Sequence, residues 1–83
     1  MKLSILWTDA AKRDLRQIDR EQAMRILKAL ARYAETGEGD VKALQGSLSG
    51  THRLRVGDWR VRFKRASGDA IEVLAVGNRG EAY

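Results

Sequence analysis

The feature that most constrains the fold is residues 52–63, HRLRVGDWRVRF, in which arginines alternate with apolar residues on both sides of Gly57-Asp58. A two-residue pair led by glycine predicts a tight β-hairpin whose first turn residue has positive φ. Such a turn fixes the cross-strand pairs as Val56 with Trp59, Arg55 with Arg60, Leu54 with Val61, Arg53 with Arg62 and His52 with Phe63. Because side chains alternate across a strand, all four arginines share one face and the apolar residues share the other.

The arginine face is expected to bind something negatively charged. Like charges directly opposite each other on a sheet destabilise it by about 0.2–1 kcal/mol per pair. The whole chain carries a net charge of +5, and residues 51–65 contain six basic residues against Asp58 alone. Such a surface attracts nucleic acid first, an acidic protein second and an anionic membrane third, and an ordinary solvated face is the alternative.

The chain before the hairpin predicts one short strand and two helices. Residues 3–7, LSILW, form the strand, and Thr8 is placed to cap a helix that begins at Asp9. Asp19 and Gln22 resemble a capping box for a second helix, which Gly37 ends. The apolar positions that recur at helical spacing are Ala11, Leu15 and Ile18 in the first helix and Ala23, Leu27, Leu30 and Ala34 in the second, widened by Met24, Ile26 and Tyr33.

The rest of the sequence predicts a long loop before the hairpin and a third strand after it. Residues 37–51 contain four glycines and are expected to form a loop with a short turn around residues 41–44. After a turn at residues 67–69, the strand 71–76 is apolar on both faces and therefore interior. Its alternation directs Ile71, Val73 and Ala75 one way and Leu74 and Val76 the other. The predicted fold is α+β, in the order β-α-α-β-β-β, with a helix hairpin packed on one face of a small, largely antiparallel sheet.

Composition excludes several classes of site. The 83 residues suit a single domain spanning 1–83, and the absence of cysteine together with one histidine predicts no metal and no cofactor. No apolar stretch approaches a membrane span and the opening residues lack a signal-peptide pattern, so we expect a cytoplasmic protein that binds no membrane. No carboxylate pair, glycine-rich phosphate loop or Ser/His/Asp set is present.

The open face extends beyond the hairpin arginines. Lys64 has the same parity as Arg62, and Arg79 follows the third strand, so both are expected to join the arginines. A guanidinium group suits phosphate because its donors fork onto two oxygens. Trp59 and Phe63 have core parity and are predicted to pack rather than to stack on bases, and His52 is predicted to be a hydrogen-bonded structural residue on the core side.

The run LQGSLSGTHRLRVGDWRVRF, the ending VLAVGNRGEAY and the two preceding helices resemble the RelE/ParE superfamily of toxins from type II toxin–antitoxin pairs. The resemblance spans nearly the whole chain and implies the fold above, a RelE-like toxin domain. It also implies a cognate antitoxin that wraps the toxin, with DNA contacted only indirectly through that antitoxin. In the RelE branch the activity is cleavage of mRNA in the ribosomal A site. The ParE branch inhibits DNA gyrase and generally lacks the full basic set and the near-terminal tyrosine.

The resemblance assigns catalytic roles to Arg53, Arg55, Arg60, Arg79 and Tyr83, and RNA binding is expected to extend to Arg62 and Lys64. RNA supplies its own nucleophile, because the 2′-hydroxyl attacks the adjacent phosphate and leaves a 2′,3′-cyclic phosphate without a metal. The sequence departs from well-studied nucleases, which have lysines in the first hairpin strand and in some cases a histidine where this chain has Asn78. An arginine cannot act as the base, so His52, Glu81 and a ribosomal group remain candidates. A metal-independent endoribonuclease is favoured, and a gyrase inhibitor and a catalytically silent antitoxin-binding homologue stay open.

Overall fold

The computed structural model of the protein describes residues 2–78, which form one mixed sheet covered on one face by helices. In chain order the elements are β1 (Ser4–Trp7), α1 (Asp9–Arg16), α2 (Arg20–Thr36), β2 (Asp40–Ala43), a 3-10 helix (Gly46–Leu48), β3 (Thr51–Val56), β4 (Trp59–Ala66) and β5 (Ala70–Asn78). The strands lie side by side in the order β1-β5-β4-β3-β2. β1 pairs with β5 in parallel, and the remaining neighbours are antiparallel. The predicted α+β fold is confirmed, with one strand more than the sequence indicated.

The β3–β4 hairpin forms in the predicted register. All five predicted cross-strand pairs are present, including Arg55 opposite Arg60 and Arg53 opposite Arg62. Gly57 has a φ of 61°, the left-handed conformation that a tight turn demands at this position and that other residues rarely adopt. Turn chemistry and alternation therefore determine this part of the sheet.

The helix boundaries follow the capping residues, with one exception. The side-chain oxygen of Thr8 accepts a hydrogen bond from the Ala11 N–H at 3.0 Å, and Gly37 ends α2 with a φ of 81°. Asp19 occupies the N-cap of α2 but makes no capping hydrogen bond, so the predicted capping box is wrong. Gln22 is engaged elsewhere, because its Oε1 accepts a hydrogen bond of 3.2 Å from Nε1 of Trp59 at the hairpin.

A short edge strand, β2, replaces part of the predicted loop. Val41 pairs with Leu54 and packs against the core, while Asp40 pairs with Arg55. Gly39 precedes this strand with a φ of 152°, and an ideal Cβ there would lie 3.0 Å from Cδ1 of Leu54. Gly39, one of the four glycines that suggested a loop, is thus needed to bring the start of β2 close to β3.

A β-bulge in β5, the predicted strand 71–76, changes which of its side chains face the core. Phe63 pairs with Val73 and Arg62 pairs with Ala75, so Leu74 is an extra residue on β5. Beyond the bulge, Val76 pairs with Val61 on the core side. The predicted alternation is therefore correct up to Val73 and wrong for Ala75 and Val76, because an extra residue reverses the parity of everything that follows. The prediction that this strand is interior is confirmed.

The core lies between the helices and the sheet. The buried apolar residues are Leu3, Ala11, Ile26, Leu30, Ala34, Leu54, Val61, Phe63, Ile71, Val73 and Val76. On α2 the buried stripe is centred on Ile26 and Leu30, whereas Leu27 is half-buried and Met24 is 44% exposed. Leu30 and Ala34 of the predicted stripe are buried and Ala23 and Leu27 are half-buried, so the buried face is shifted towards Ile26. Neither α1 nor α2 covers the opposite face of the sheet.

Candidate functional site

The face of the sheet that points away from the helices is positively charged, and we call it the cationic face. Cross-strand pairing shows which side chains share it, because directly paired residues point to the same side. Among residues 2–78, six basic and two acidic residues do so: Lys42, Arg53, Arg55, Arg60, Arg62, Lys64, Asp40 and Glu72. The sequence analysis missed Lys42 and Asp40 because it assigned β2 to a loop.

Two ion pairs partly compensate the charge of the cationic face. Nη1 of Arg53 lies 3.9 Å from Oδ1 of Asp40, and Nζ of Lys64 lies 3.6 Å from Oε1 of Glu72. Each pair includes one side chain that is well exposed to solvent, Asp40 in the first and Lys64 in the second, and pairs that water reaches stabilise a fold by only about 0–1 kcal/mol and are screened by salt. Because basic residues outnumber acidic ones by six to two on this face, an excess of positive charge remains.

Two arginines of the cationic face are held close to the sheet. The side chain of Arg53 is only 13% exposed, and Arg62 is half-buried between β3 and β5. Nε of Arg62 is buried and has no hydrogen-bond partner among the described residues. A buried donor without a partner lowers the stability of a fold.

The tip of the β3–β4 hairpin forms a shallow cavity of about 250 Å³ lined by Arg55, Gly57, Asp58 and Arg60. Nε of Arg55 donates to the Gly57 carbonyl oxygen at 3.3 Å, which directs this side chain over the turn. Arg25 of α2 approaches the turn from the other side, because an ideal Cβ at Gly57 would lie 3.5 Å from its Nη2. The cavity therefore combines two opposed guanidinium groups with an open, solvent-accessible space.

The core-side residues of the hairpin are placed as their parity predicts. The His52 ring stacks on Phe63 with centroids 5.5 Å apart and an interplanar angle of 18°. Nδ1 of His52 is buried without a hydrogen-bond partner among residues 2–78, so this nitrogen does not make the hydrogen bond that was predicted for the ring. Trp59 packs against the core and donates to Gln22. Neither ring belongs to the cationic face.

The structure brings together five of the seven candidate site residues, Arg53, Arg55, Arg60, Arg62 and Lys64, on the cationic face. Arg79 and Tyr83 lie outside the described residues. Within the described part of the chain, no group of His, Asp and Glu side chains could hold a metal ion. None of the helices described for residues 2–78 is long and apolar enough to cross a membrane.

Replacing Arg55 by threonine should stabilise the fold slightly. The change removes the repulsion between Arg55 and Arg60 and introduces a residue that favours strands, so we expect a gain of about 0.2–1 kcal/mol in the free energy of unfolding. Urea denaturation at low and at high salt is the measurement, and the gain should shrink as salt screens the repulsion. Arg55→Lys is the matched control, because it keeps the charge and should bring no gain. A clear loss of stability in Arg55→Thr at low salt would mean that the arginine supports the fold.

Comparison with known proteins identifies the family. Residues 5–83 match the family model described as the ParE toxin of the type II toxin–antitoxin system, parDE. The fold is similar to that in the toxin–antitoxin complex RelBE2 from Mycobacterium tuberculosis, with a TM-score of 0.83 and 21% identity over 95% of this chain and 100% of that chain.

Two further solved structures extend this similarity. The archaeal RelE–RelB complex from Pyrococcus horikoshii has a TM-score of 0.77 and 22% identity over 99% of this chain and 100% of that chain. The YoeB/ParE toxin from Agrobacterium tumefaciens has a TM-score of 0.76 and 19% identity over 93% of this chain and 99% of that chain. The search of curated proteins gave no match. These findings confirm the resemblance inferred from the hairpin: the chain belongs to the ParE toxin family, within the RelE/ParE superfamily of type II toxin–antitoxin systems.

Proposed function

We propose that this toxin inhibits translation as a metal-independent endoribonuclease that cuts mRNA in the ribosomal A site. The observation that carries the proposal is the cationic face, on which two arginine pairs oppose each other across β3 and β4. The repulsion within these pairs is relieved when an anion binds between them. Phosphate oxygens accept the forked donors of arginine, and a nucleic-acid backbone presents a chain of phosphates to such a face.

The proposed reaction needs alignment and charge stabilisation more than it needs a cofactor. The 2′-oxygen of one nucleotide bonds to the adjacent phosphorus and loses its proton, while the 5′-oxygen leaves and gains one, giving a 2′,3′-cyclic phosphate. In this proposal Arg60 and Arg79 stabilise the charge that develops on the phosphorane. Arg53 and Arg55 position the backbone, and Tyr83 stacks on a base or contacts the leaving group.

The remaining basic residues and the general base complete the assignment. Arg62 and Lys64 extend the path of the RNA backbone along β4. His52 is removed from the candidates for the base, because its ring stacks on Phe63 on the core side of the sheet. Glu81, which lies outside the described residues, and a ribosomal group are the candidates that remain.

A cognate antitoxin is the proposed protein partner. The similar structures from M. tuberculosis, P. horikoshii and Staphylococcus aureus are complexes of a toxin with its antitoxin, RelBE2, RelE–RelB and YoeB–YefM respectively. The excess positive charge of the cationic face favours an antitoxin segment that brings carboxylates to Arg55 and Arg60. DNA would then be contacted only through the antitoxin.

Inhibition of DNA gyrase is the second candidate function, and the match to the ParE family model favours it. The two functions need different targets, so a direct comparison separates them. Purified toxin is incubated with ribosomes programmed with a defined mRNA, and cuts are mapped by primer extension, with the same RNA free in solution as the control.

We expect cuts within codons at the A site and little cutting of free RNA. The same preparation is tested for inhibition of supercoiling by gyrase, where we expect no effect. Inhibition of supercoiling by gyrase, without any cleavage of mRNA on the ribosome, would overturn the nuclease assignment and support the gyrase alternative. Equal cutting of free and ribosome-bound RNA would contradict dependence on the ribosome.

A further inference from the structure

One edge of β5 loses its neighbouring strand halfway along. β1 pairs with β5 only from Ser4 opposite Ala70 to Trp7 opposite Val73. The Thr8 N–H donates to the Val73 carbonyl oxygen at 3.1 Å, and the chain then enters α1. Within the part of the chain that the structure describes, the second half of β5, from Leu74 onward, is therefore paired with a strand on the β4 side alone.

Two polar side chains, one at the N-cap of α1 and one within α1, replace the missing strand. The Thr8 hydroxyl donates to the Leu74 carbonyl oxygen at 3.3 Å, in addition to capping the helix. Oδ2 of Asp14 accepts a hydrogen bond of 3.0 Å from the Val76 N–H. Both bonds are partly buried, so each satisfies a main-chain group that water reaches poorly.

The end of β5 packs on the core through Val76, but open space lies on the side that faces α1. A surface cavity of about 290 Å³ lies beside it, lined by Asp14, Gln17, Ile18, Trp59, Val76 and Gly77. Apolar packing between α1 and the end of β5 is therefore incomplete on this side. The hydrogen bond from Val76 to Asp14 is thus a specific polar link between α1 and the end of β5, beside this cavity.

Residues Val76–Asn78 lie directly beside Arg60, to which we assign stabilisation of the phosphate charge. Gly77 pairs with Arg60, and Asn78 pairs with Trp59. In sequence, Asn78 is followed by Arg79, the other arginine of the proposed site. A change in the position of the Val76–Asn78 backbone therefore acts on the neighbour of Arg60 and on the point from which the chain continues to Arg79.

We propose that Asp14 is a positioning residue of the toxin: its carboxylate accepts the Val76 N–H in place of a strand and so fixes the end of β5 beside Arg60. This inference rests on the proposed nuclease function. A carboxylate or an amide oxygen can accept this N–H, whereas an apolar side chain of similar size cannot. The role is therefore separable from the negative charge of Asp14.

The test compares Asp14→Leu, Asp14→Asn and the charge control Asp9→Asn, which lies on the exposed first turn of α1. Amide hydrogen exchange of Val76 is measured by NMR in each, together with the melting temperature and the rate of mRNA cleavage on programmed ribosomes. We expect faster exchange at Val76 in Asp14→Leu, with cleavage slowed on the order of ten- to a hundredfold. In Asp14→Asn, the Val76 exchange rate and the cleavage rate should stay close to those of the unmodified toxin. Asp9→Asn should change neither rate.

Several outcomes would overturn the inference. Val76 exchange that is the same in all variants would show that Asp14 does not hold the strand. Faster Val76 exchange with full cleavage in Asp14→Leu would show that the link has no role in activity, and a loss in Asp14→Asn as large as in Asp14→Leu would assign the effect to charge. If Asp14→Leu lowers the melting temperature, the rates are compared at a temperature where all variants are fully folded. If the unmodified toxin cuts no mRNA, the proposed function fails, and the exchange comparison alone decides whether Asp14 holds β5.

Discussion

Replacing Arg60 by alanine should slow mRNA cleavage on the ribosome by a hundredfold or more. Arg60 lies opposite Arg55 on the cationic face and lines the cavity at the hairpin tip. Loss of one group that stabilises transition-state charge typically lowers the rate by about a hundred- to a thousandfold. The measurement is the single-turnover rate of cleavage of a defined codon by excess toxin, and we expect the same loss in Arg79→Ala.

Two control variants show what kind of interaction is lost. Arg60→Lys keeps the charge but loses the forked donors, so a partial loss indicates charge and a nearly complete loss indicates geometry. Lys28→Ala removes an exposed positive charge from α2, away from the cationic face, and should cleave normally. The melting temperature of each variant separates loss of fold from loss of chemistry. Full toxicity of a folded Arg60→Ala variant would contradict the assignment of the cationic face as the nuclease site.

The parts of the fold that could be predicted from sequence are those fixed by neighbouring residues. Gly57-Asp58 sets the turn, and the two-residue alternation on each side then determines every pair from Val56 with Trp59 to His52 with Phe63. The cap at Thr8 and the helix end at Gly37 are local for the same reason. The turn and this alternation together place four arginines on one face. The centre of the candidate site could therefore be predicted from the sequence.

The features that were missed depend on contacts between distant parts of the chain. β2 has only four residues and exists because Val41 and Leu54 pair over the core, which no local pattern reveals. The bulge at Leu74 exchanges the faces of Ala75 and Val76 in an otherwise regular apolar strand. Gln22 was assigned to a capping box because of its spacing, but Trp59 lies within reach of its side chain in the folded protein.

The candidate site likewise has features that the local sequence predicts and features that depend on distant contacts. Parity predicted that Lys64 joins the arginines, but its ion pair with Glu72 requires the register of β5. The low exposure of Arg53 and its pair with Asp40 require β2. The role proposed for Asp14 depends on where β1 ends relative to β5, which is a property of the sheet and not of the helix that contains Asp14.

Replacing Phe63 by alanine should destabilise the toxin by about 3–5 kcal/mol, the range for loss of a fully buried phenyl ring. The Phe63 side chain is completely buried, stacks on His52 and lies 5.3 Å from the ring of Tyr33 with an interplanar angle of 53°. It also occupies the β4 position at which the bulge in β5 begins. Since small domains are stable by roughly 5–15 kcal/mol, the loss is a large fraction of the total.

Urea denaturation measures this effect, with two controls of different size. Phe63→Leu keeps most of the apolar volume and should cost much less than Phe63→Ala, whereas Met24→Ala, at a side chain that is 44% exposed, should change stability by no more than about 0.5 kcal/mol. A loss below about 1 kcal/mol in Phe63→Ala would show that the ring stack does not anchor the hairpin. A large loss would mean that the β4 strand bearing Arg60 and Arg62 is held in place by a core residue on its opposite face. The precision of the cationic face would then depend on the packing of Phe63, although Phe63 itself contacts no ligand there.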